Sequence, residues 1–225
     1  MKANVRLMAS AGIKFLMGLV LVGLLIFLPA GTMDYPNGWL FMAVLFVPML
    51  IAGVVMALRS PQLLKKRLNA KEKESGQKSV VAMSGIMFIA AFVVAGLNYR
   101  YSWIVMPSWV VWGAVALFLL SYLMYAEVLR ENAYLSRTIE VQQGQKVIDT
   151  GLYGIVRHPM YSATILMFLS MPLVLGSLPS FVIMIAYIPL IVKRIRNEEK
   201  VLRRGLEGYD GYCKRVRYRL LPFVW

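Results

Sequence analysis

Four long runs without a charged residue dominate the first half of this 225-residue chain. They cover residues 15–33, 35–58, 79–99 and 101–126, and each contains at least 19 residues. A helix of about 20 apolar residues is long enough to cross the hydrocarbon core of a bilayer. Hydrophobic residues make up 59% of the chain, above the roughly 45–50% that is usual in soluble domains. The sequence therefore predicts an all-α, polytopic integral membrane protein with four full spans.

A fifth uncharged run, residues 159–192, contains 34 residues. It is too long for one span and too short for two full spans joined by a turn. Pro172, Gly176, Ser177 and Pro179 interrupt it near the middle, and residues of these types mark turns. We therefore expect a C-terminal hairpin of two short or tilted helices.

The distribution of polar residues divides the chain into two regions. Residues 1–126 carry little chemistry and predict a four-helix transmembrane scaffold, whereas residues 127–225 predict a catalytic region. That region contains a polar cofactor-binding segment, the hairpin, a charged helix and an aromatic, basic tail at the membrane interface. We expect the charged helix to continue the second arm of the hairpin and to end near Gly205 or Gly208. The first apolar run is longer than the apolar core of a signal peptide, so no cleaved leader is expected.

Charge predicts the orientation and excludes several kinds of site. The chain has 25 Lys and Arg residues against 11 Asp and Glu. Of the Lys and Arg residues, only Arg100 falls on the far side of the predicted membrane. By the positive-inside rule, both termini and the segment 127–158 face the cytoplasm. Topology and anionic lipid headgroups explain the basic excess, so membrane lipids and not nucleic acid are expected partners. Cys213 and His158 are the sole residues of their types, which excludes an internal disulfide and a Cys- or His-rich metal site; no metal is expected.

Before the hairpin lies the first group of candidate site residues. Pro159 suits the first position of a helix, so Arg157 and His158 would precede a helix N-terminus. Backbone N–H groups and the helix dipole favour an anion there, such as a carboxylate or phosphate. Tyr153 and Tyr161 can pack on a flat ring. Each residue also fits a structural role, as a helix-capping histidine, an interfacial tyrosine or a membrane-anchoring arginine.

After the hairpin lies the second group of candidates. Arg194 and Glu198 are four residues apart and therefore share one face of a helix. A carboxylate there could bind ribose hydroxyls or an ammonium group, and the neighbouring arginine could hold an anionic substrate. A simple surface ion pair is the structural alternative.

Together, in this order, the two groups resemble a known family. The resemblance rests on Gly151-Leu152-Tyr153, on Arg157-His158-Pro159-Met160-Tyr161, and on Arg194, Glu198-Glu199, Leu202, Tyr209 and Tyr212. Through them residues 131–225 resemble the isoprenylcysteine carboxyl methyltransferase family, part of a wider group that includes the phospholipid N-methyltransferases. The resemblance implies a membrane-embedded methyltransferase that uses S-adenosyl-L-methionine, with Arg194 and Glu198 as catalytic residues and Arg194 as the substrate-binding residue. The implied cofactor contacts are Gln145, Lys146, Val147, Ile148, Tyr153, His158, Pro159, Met160, Tyr161 and Glu198, with Gln142 and Gln143 as further candidates.

The methyl acceptor is left open by the resemblance, because family membership does not give the substrate. A carboxylate is already ionised at neutral pH and needs no base, which favours O-methylation of an isoprenylcysteine-like or other lipophilic substrate. That substrate, a small molecule or a lipid-modified one, would enter laterally between helices. N-methylation of a phospholipid and S-methylation of a small thiol are alternatives. The size resembles that of prokaryotic relatives, so a bacterial or archaeal cell membrane is expected, with the site on its cytoplasmic side.

Two further functions remain as alternatives. The tail also looks like the end of the sterol reductases, which use NADPH and are much longer proteins. This likeness lies in Asn197-Glu198-Glu199, in 212–216 and in Leu221-Pro222-Phe223, and Arg-His-Pro-x-Tyr occurs in both groups. The third hypothesis is a non-catalytic membrane scaffold or lipid-binding protein.

Overall fold

The computed structural model describes residues 2–68, 75–135, 139 and 141–225, and these residues form helices without strands. A 3₁₀ turn, Gly151–Gly154, lies between the fifth and sixth α-helices. The α-helices in chain order are α1 (Lys2–Ala30), α2 (Pro36–Arg59), α3 (Pro61–Leu68), α4 (Ser75–Tyr101), α5 (Ser108–Glu131), α6 (Pro159–Val174), α7 (Leu178–Ile185), α8 (Tyr187–Gly205) and α9 (Tyr209–Arg215).

Five helical stretches are long and apolar enough to cross a membrane. They are Arg6–Ala30, Pro36–Arg59, Lys78–Tyr101, Ser108–Glu131 and Leu178–Gly205. Large apolar side chains on their outer faces are exposed, as expected for helices whose solvent is lipid. The prediction of an all-α, polytopic membrane protein is confirmed.

The predicted hairpin is present, and its two arms are unequal. The first arm, α6, has 16 residues. The second arm runs through α7 and α8 from Leu178 to Gly205, a stretch of 28 residues. The charged helix continues this arm and ends at Gly205, both as predicted. The break between the arms falls at Gly176, whose φ of +73° favours glycine, and at Ser177, whose Oγ caps α7 by accepting from the Ser180 N–H.

Buried hydrogen bonds from the first half of the chain hold the turn of the hairpin. The Tyr35 hydroxyl donates to the carbonyl of Leu175 at 2.5 Å, and Asn98 Nδ2 donates to the carbonyls of Ile104 and Gly176. Carbonyls at the end of a helix need such partners when they are buried. One apolar core, formed by side chains from both halves of the chain, continues along the arms from there. The turn and the core thus fix the direction of α6 and α8, whose far ends form the site described below.

Close packing of α1 against α4 generates the first prediction. A Cβ at Gly96 of α4 would meet the backbone oxygen of Ile26 and lie 3.0 Å from the backbone nitrogen of Ala30, both on α1. Small residues permit this kind of backbone approach between membrane helices. We expect Gly96→Ala to force the helices apart and to reduce the free energy of unfolding by about 1–3 kcal/mol.

Gly85, on the same helix, is the matched control, because a Cβ there would meet no atom within 4 Å. Gly85→Ala should leave the thermal unfolding midpoint in detergent unchanged or raise it, since alanine favours helix. Equal midpoints for the two variants would contradict the proposed close contact.

Candidate functional site

The N-terminus of α6 organises the first part of the site. His158 is the N-cap and Pro159 the first residue of the helix, as the sequence predicts. Upstream, Gly151 opens the 3₁₀ turn with a φ of +54°, and a Cβ there would lie 3.1 Å from the side chain of Glu131. Both the backbone conformation and the close packing therefore favour glycine at this position. The turn leads into α6, and Arg157 and His158, which lie between the two, are buried.

Glu199 of α8 is a buried carboxylate that contacts three basic side chains. Arg157 Nε donates to Oε1 at 2.9 Å, and Arg219 Nε donates to Oε2 at 3.0 Å. His158 Nε2 lies 3.4 Å from Oε1. The side chains of Arg157 and Glu199 are only 5% and 6% exposed. A buried charge needs such partners, so this cluster joins the N-terminus of α6, the charged helix and the C-terminal tail.

Backbone contacts between the tail and the start of α6 reinforce the same junction. The N–H groups of Arg157 and His158 donate to the carbonyls of Tyr218 and Arg219, each at 2.9 Å. Arg157 Nη1 also donates to two tail carbonyls, those of Val216 and Arg217. The tail thus accepts the two N–H groups, while the carboxylate of Glu199 lies against the side chains of Arg157 and His158.

A cleft lies beside this junction, between the segment before α6, the start of α6, α8 and α9. All but one of the predicted site residues line it: Gln145, Lys146, Val147, Ile148, Tyr153, His158, Met160, Tyr161, Arg194 and Glu198. Pro159 does not, because it is buried at the start of α6. The remaining lining residues are Asn132, Tyr134, Leu135, Ile139, Arg157, Leu202, Leu206, Tyr209 and Tyr212.

The further candidates Gln142 and Gln143 are not among these lining residues. They lie in the turn before the lining segment, where the Gln142 side chain donates to the carbonyl of Tyr134. Gln145 supports the same turn, because its Oε1 accepts from the Gln142 N–H at 2.9 Å. In the part of the chain that the structure describes, no group of three His, Cys, Asp or Glu side chains is arranged to hold a metal ion.

Tyr161 connects the two charged residues predicted on α8. Its hydroxyl donates to Glu198 Oε2 at 2.5 Å and accepts from Arg194 Nε at 3.0 Å. The predicted shared helix face is therefore real, and the tyrosine hydroxyl lies between the cation and the carboxylate at the wall of the cleft. A hydroxyl in this position can exchange a proton with one neighbour while the other stabilises negative charge.

Tyrosines form the opposite wall. The Tyr153 hydroxyl accepts from Asn132 Nδ2 at 3.0 Å, and burial raises the pKa of Tyr153 to about 12. The Tyr212 hydroxyl donates to the backbone carbonyl of Tyr153 at 2.8 Å, which ties α9 to the 3₁₀ turn. Tyr209 completes this wall. These neutral rings belong to the lining of the cleft, where a planar group can pack against them.

Sequence reasoning missed part of the cleft. Leu202 and Leu206 continue the row of Glu198 at a spacing of four, so the helical period could have identified them. Tyr209 and Tyr212 were noted in the motif but were not assigned to the site. Glu199 was not given a separate role, because its partners Arg157 and Arg219 lie 42 and 20 residues away in the chain and no local pattern links them to it.

Comparison with known proteins gives a family match over this part of the chain. The sequence model of the ergosterol biosynthesis ERG4/ERG24 family matches residues 128–225. That range contains every residue that lines the cleft.

Curated relatives agree with this match. The Delta(14)-sterol reductase TM7SF2 of Mus musculus is 33% identical over 91 residues, which cover 39% of this chain and 22% of the relative. The Delta(14)-sterol reductase erg24 of Schizosaccharomyces pombe is 29% identical over 90 residues, 39% of this chain and 21% of the relative. A probable 7-dehydrocholesterol reductase of Acanthamoeba polyphaga mimivirus is 28% identical over 88 residues, covering 38% and 20%. The chain thus covers about a fifth of the length of these relatives.

These matches correct the function inferred from the sequence. The resemblance to the isoprenylcysteine carboxyl methyltransferase family was wrong, and so were the methyltransferase activity and the S-adenosyl-L-methionine cofactor, because the matching proteins are sterol reductases. The structure gives the physical reason. In the motif that carried the resemblance, Arg157 and His158 surround Glu199, and Pro159 begins a helix. These residues build the junction, so they do not identify the reaction at the cleft.

The Glu199 cluster generates the second prediction. Glu199→Gln keeps the size of the side chain but leaves Arg157 and Arg219 without their shared counter-charge. Removing one partner from a buried ion pair typically costs about 3–5 kcal/mol, and we expect a loss of that order in the free energy of unfolding. Glu207→Gln, at an exposed position after α8, is the matched control and should leave the unfolding midpoint in detergent unchanged. An unaltered midpoint for Glu199→Gln would refute the role of the cluster.

Proposed function

We propose that this protein is a membrane-bound reductase that uses NADPH to reduce a carbon–carbon double bond of a sterol or sterol-like substrate. The observation that carries the proposal is the coincidence of the matched range, residues 128–225, with the whole lining of the cleft. The matched relatives are sterol reductases by name, and similarity that includes the whole lining of the cleft favours a related chemistry there. We further propose that residues 1–126 form a membrane scaffold and residues 127–225 a catalytic region.

The side chains of the cleft fit a nicotinamide cofactor. Lys146 offers positive charge for its phosphates. The tyrosine wall offers faces for its flat rings, and Glu198 offers a carboxylate to its ribose hydroxyls. Tyr209 adds a buried hydroxyl without a hydrogen-bond partner among the described residues. No glycine-rich nucleotide-binding turn of the Rossmann type is needed for such a set of contacts.

The proposed chemistry adds one hydride and one proton across the double bond. A reduced nicotinamide, when bound, supplies the hydride. Tyr161 is the proposed proton donor, because its hydroxyl lies at the cleft between Arg194 and Glu198. Loss of the proton would leave negative charge on the Tyr161 oxygen, which the Arg194 guanidinium stabilises. Glu198 then orients the hydroxyl as it regains a proton from water.

Two different routes would bring the reactants together. The basic segments place both termini and the cleft on the cytoplasmic side in our proposal, where a polar cofactor enters from water. An apolar substrate would arrive from the bilayer between helices, so that the membrane itself is the reservoir. Met160 and Leu202 give the cleft an apolar border on which such a substrate can pack.

Cofactor binding and turnover provide the third prediction. Detergent-purified protein should bind NADPH in a calorimetric titration. With a Δ14-sterol in mixed micelles it should consume NADPH and yield a product heavier by two hydrogen atoms in mass spectrometry. Absence of NADPH binding by folded protein, or binding of S-adenosylhomocysteine in its place, would refute the proposed function.

The fourth prediction concerns the proton donor. Tyr161→Phe should lower kcat by about 100-fold, the lower end of the usual contribution of a positioned acid, while leaving NADPH affinity largely unchanged. Tyr187→Phe is the matched control, because this hydroxyl is also in the hairpin but bonds to Thr164 and does not line the cleft. Near-normal turnover in Tyr161→Phe would remove Tyr161 from the mechanism and leave the reductase proposal in place.

A further inference from the structure

Tyr209, the first residue of α9, has a buried hydroxyl that bonds to nothing in the described part of the chain. The residue is 4% exposed. Among the described residues, its oxygen is the one buried side-chain polar atom without a hydrogen-bond partner. Buried polar groups in folded proteins are almost always paired, and an exception calls for an explanation. The position of this exception, at the wall of the cleft, suggests that the explanation is a ligand.

The backbone and its neighbours hold this side chain in place. Gly208, the N-cap residue of α9, precedes it in the left-handed conformation, with a φ of +80°. The ring packs against Tyr212, with ring centroids 5.8 Å apart, and belongs to a small apolar cluster with Leu206 and Val216. A ring fixed in this way cannot turn its hydroxyl to solvent without disturbing the cluster, so the hydroxyl position is part of the fold.

Electrostatics makes the Tyr209 hydroxyl a hydrogen-bond donor. Burial, and then the nearby negative charge of Glu199, raise the pKa of Tyr209 well above its ordinary value. The group is therefore a neutral phenol at physiological pH. The carboxylate of Glu199 is already engaged by Arg157, His158 and Arg219. The proton of Tyr209 is consequently available to an acceptor that enters the cleft.

The charge around the hydroxyl also restricts what that acceptor can be. Glu198 and Glu199 act on Tyr209 with two negative charges against the one positive charge of Arg157, and this balance disfavours a phosphate at this point of the cleft. An uncharged oxygen, such as that of a ribose hydroxyl or a carboxamide, carries no such penalty. The phosphates would instead lie toward Lys146.

We propose that the Tyr209 hydroxyl binds the cofactor by donating a hydrogen bond to one of its uncharged oxygens, an inference that rests on the proposed use of NADPH. The hydroxyl costs stability in the ligand-free protein and is satisfied when the cofactor is bound. Tyr209 is thus a cofactor-binding residue and takes no part in proton transfer.

The test compares Tyr209→Phe with two other tyrosine variants in two measurements. In ligand-free protein, thermal unfolding in detergent should show an unchanged or raised midpoint for Tyr209→Phe, because the substitution removes a hydroxyl that has no partner. Tyr212→Phe should lower the midpoint, because it breaks the 2.8 Å bond to the Tyr153 carbonyl.

In calorimetric titrations with NADPH, Tyr209→Phe should weaken binding about three- to ten-fold, the usual effect of losing one neutral hydrogen bond. Tyr218→Phe, in the tail outside the cleft lining, should bind as the wild type does.

The possible failures are distinguishable. If the wild type binds NADPH and Tyr209→Phe binds it equally well, the inference is wrong and the proposed function stands. A lowered midpoint for ligand-free Tyr209→Phe would show that the hydroxyl has a structural partner and would also overturn the inference. A loss of affinity above about 30-fold would indicate a charged acceptor and contradict the uncharged oxygen. If the folded wild type does not bind NADPH, the proposed function fails and takes this inference with it.

Discussion

The buried carboxylate of Glu199 is the interaction on which the geometry of the site depends. It receives Arg157 from the start of the hairpin and Arg219 from the tail, so one side chain joins three parts of the chain that are far apart in sequence. The charges of Arg157 and Glu199 would not be tolerated singly at their burial. The cluster therefore forms as a unit. The backbone hydrogen bonds from Arg157 and His158 to the tail also fix the orientation of the tail relative to the start of α6. The cleft lies where this junction holds α8, the tail and the start of α6 together, and where Tyr212 ties α9 to the 3₁₀ turn.

Two adjacent glutamates on one helix face different surroundings. Successive residues of an α-helix point about 100° apart. Glu199 can therefore face the junction while Glu198 faces the cleft and accepts the Tyr161 hydroxyl. The apolar first half of the second arm lies in the hairpin, and its charged second half carries these residues beyond it. This single helix thus couples the membrane-embedded core to the polar chemistry.

The sequence was most informative where the physical signal is local. Uncharged runs predicted the helical membrane architecture, Gly176 and Ser177 predicted the break of the hairpin, and Pro159 predicted the start of α6. The candidate residues from Gln145 to Glu198 were brought together as expected, with Pro159 as the exception. The partners of Glu199 and the unpaired hydroxyl of Tyr209 could not be predicted, because both depend on tertiary contacts that leave no periodic pattern. The continuation of the second arm through the charged helix to Gly205 was predicted as well, because glycine commonly ends a helix.

The chemistry was misassigned for a related physical reason. Part of the recognised motif, Arg157-His158-Pro159, is required by the junction, and a junction of this kind can border different cofactor sites. Discrimination between cofactors must come from side chains that face the cleft and are not needed for folding, such as Lys146, Arg194 and Tyr209. Of these, Tyr209 is the most informative, because a protein retains an unpaired buried hydroxyl at a cost to its stability. Such a group is better explained by what it binds than by what it supports, and the identity of its acceptor is therefore closely linked to the identity of the cofactor.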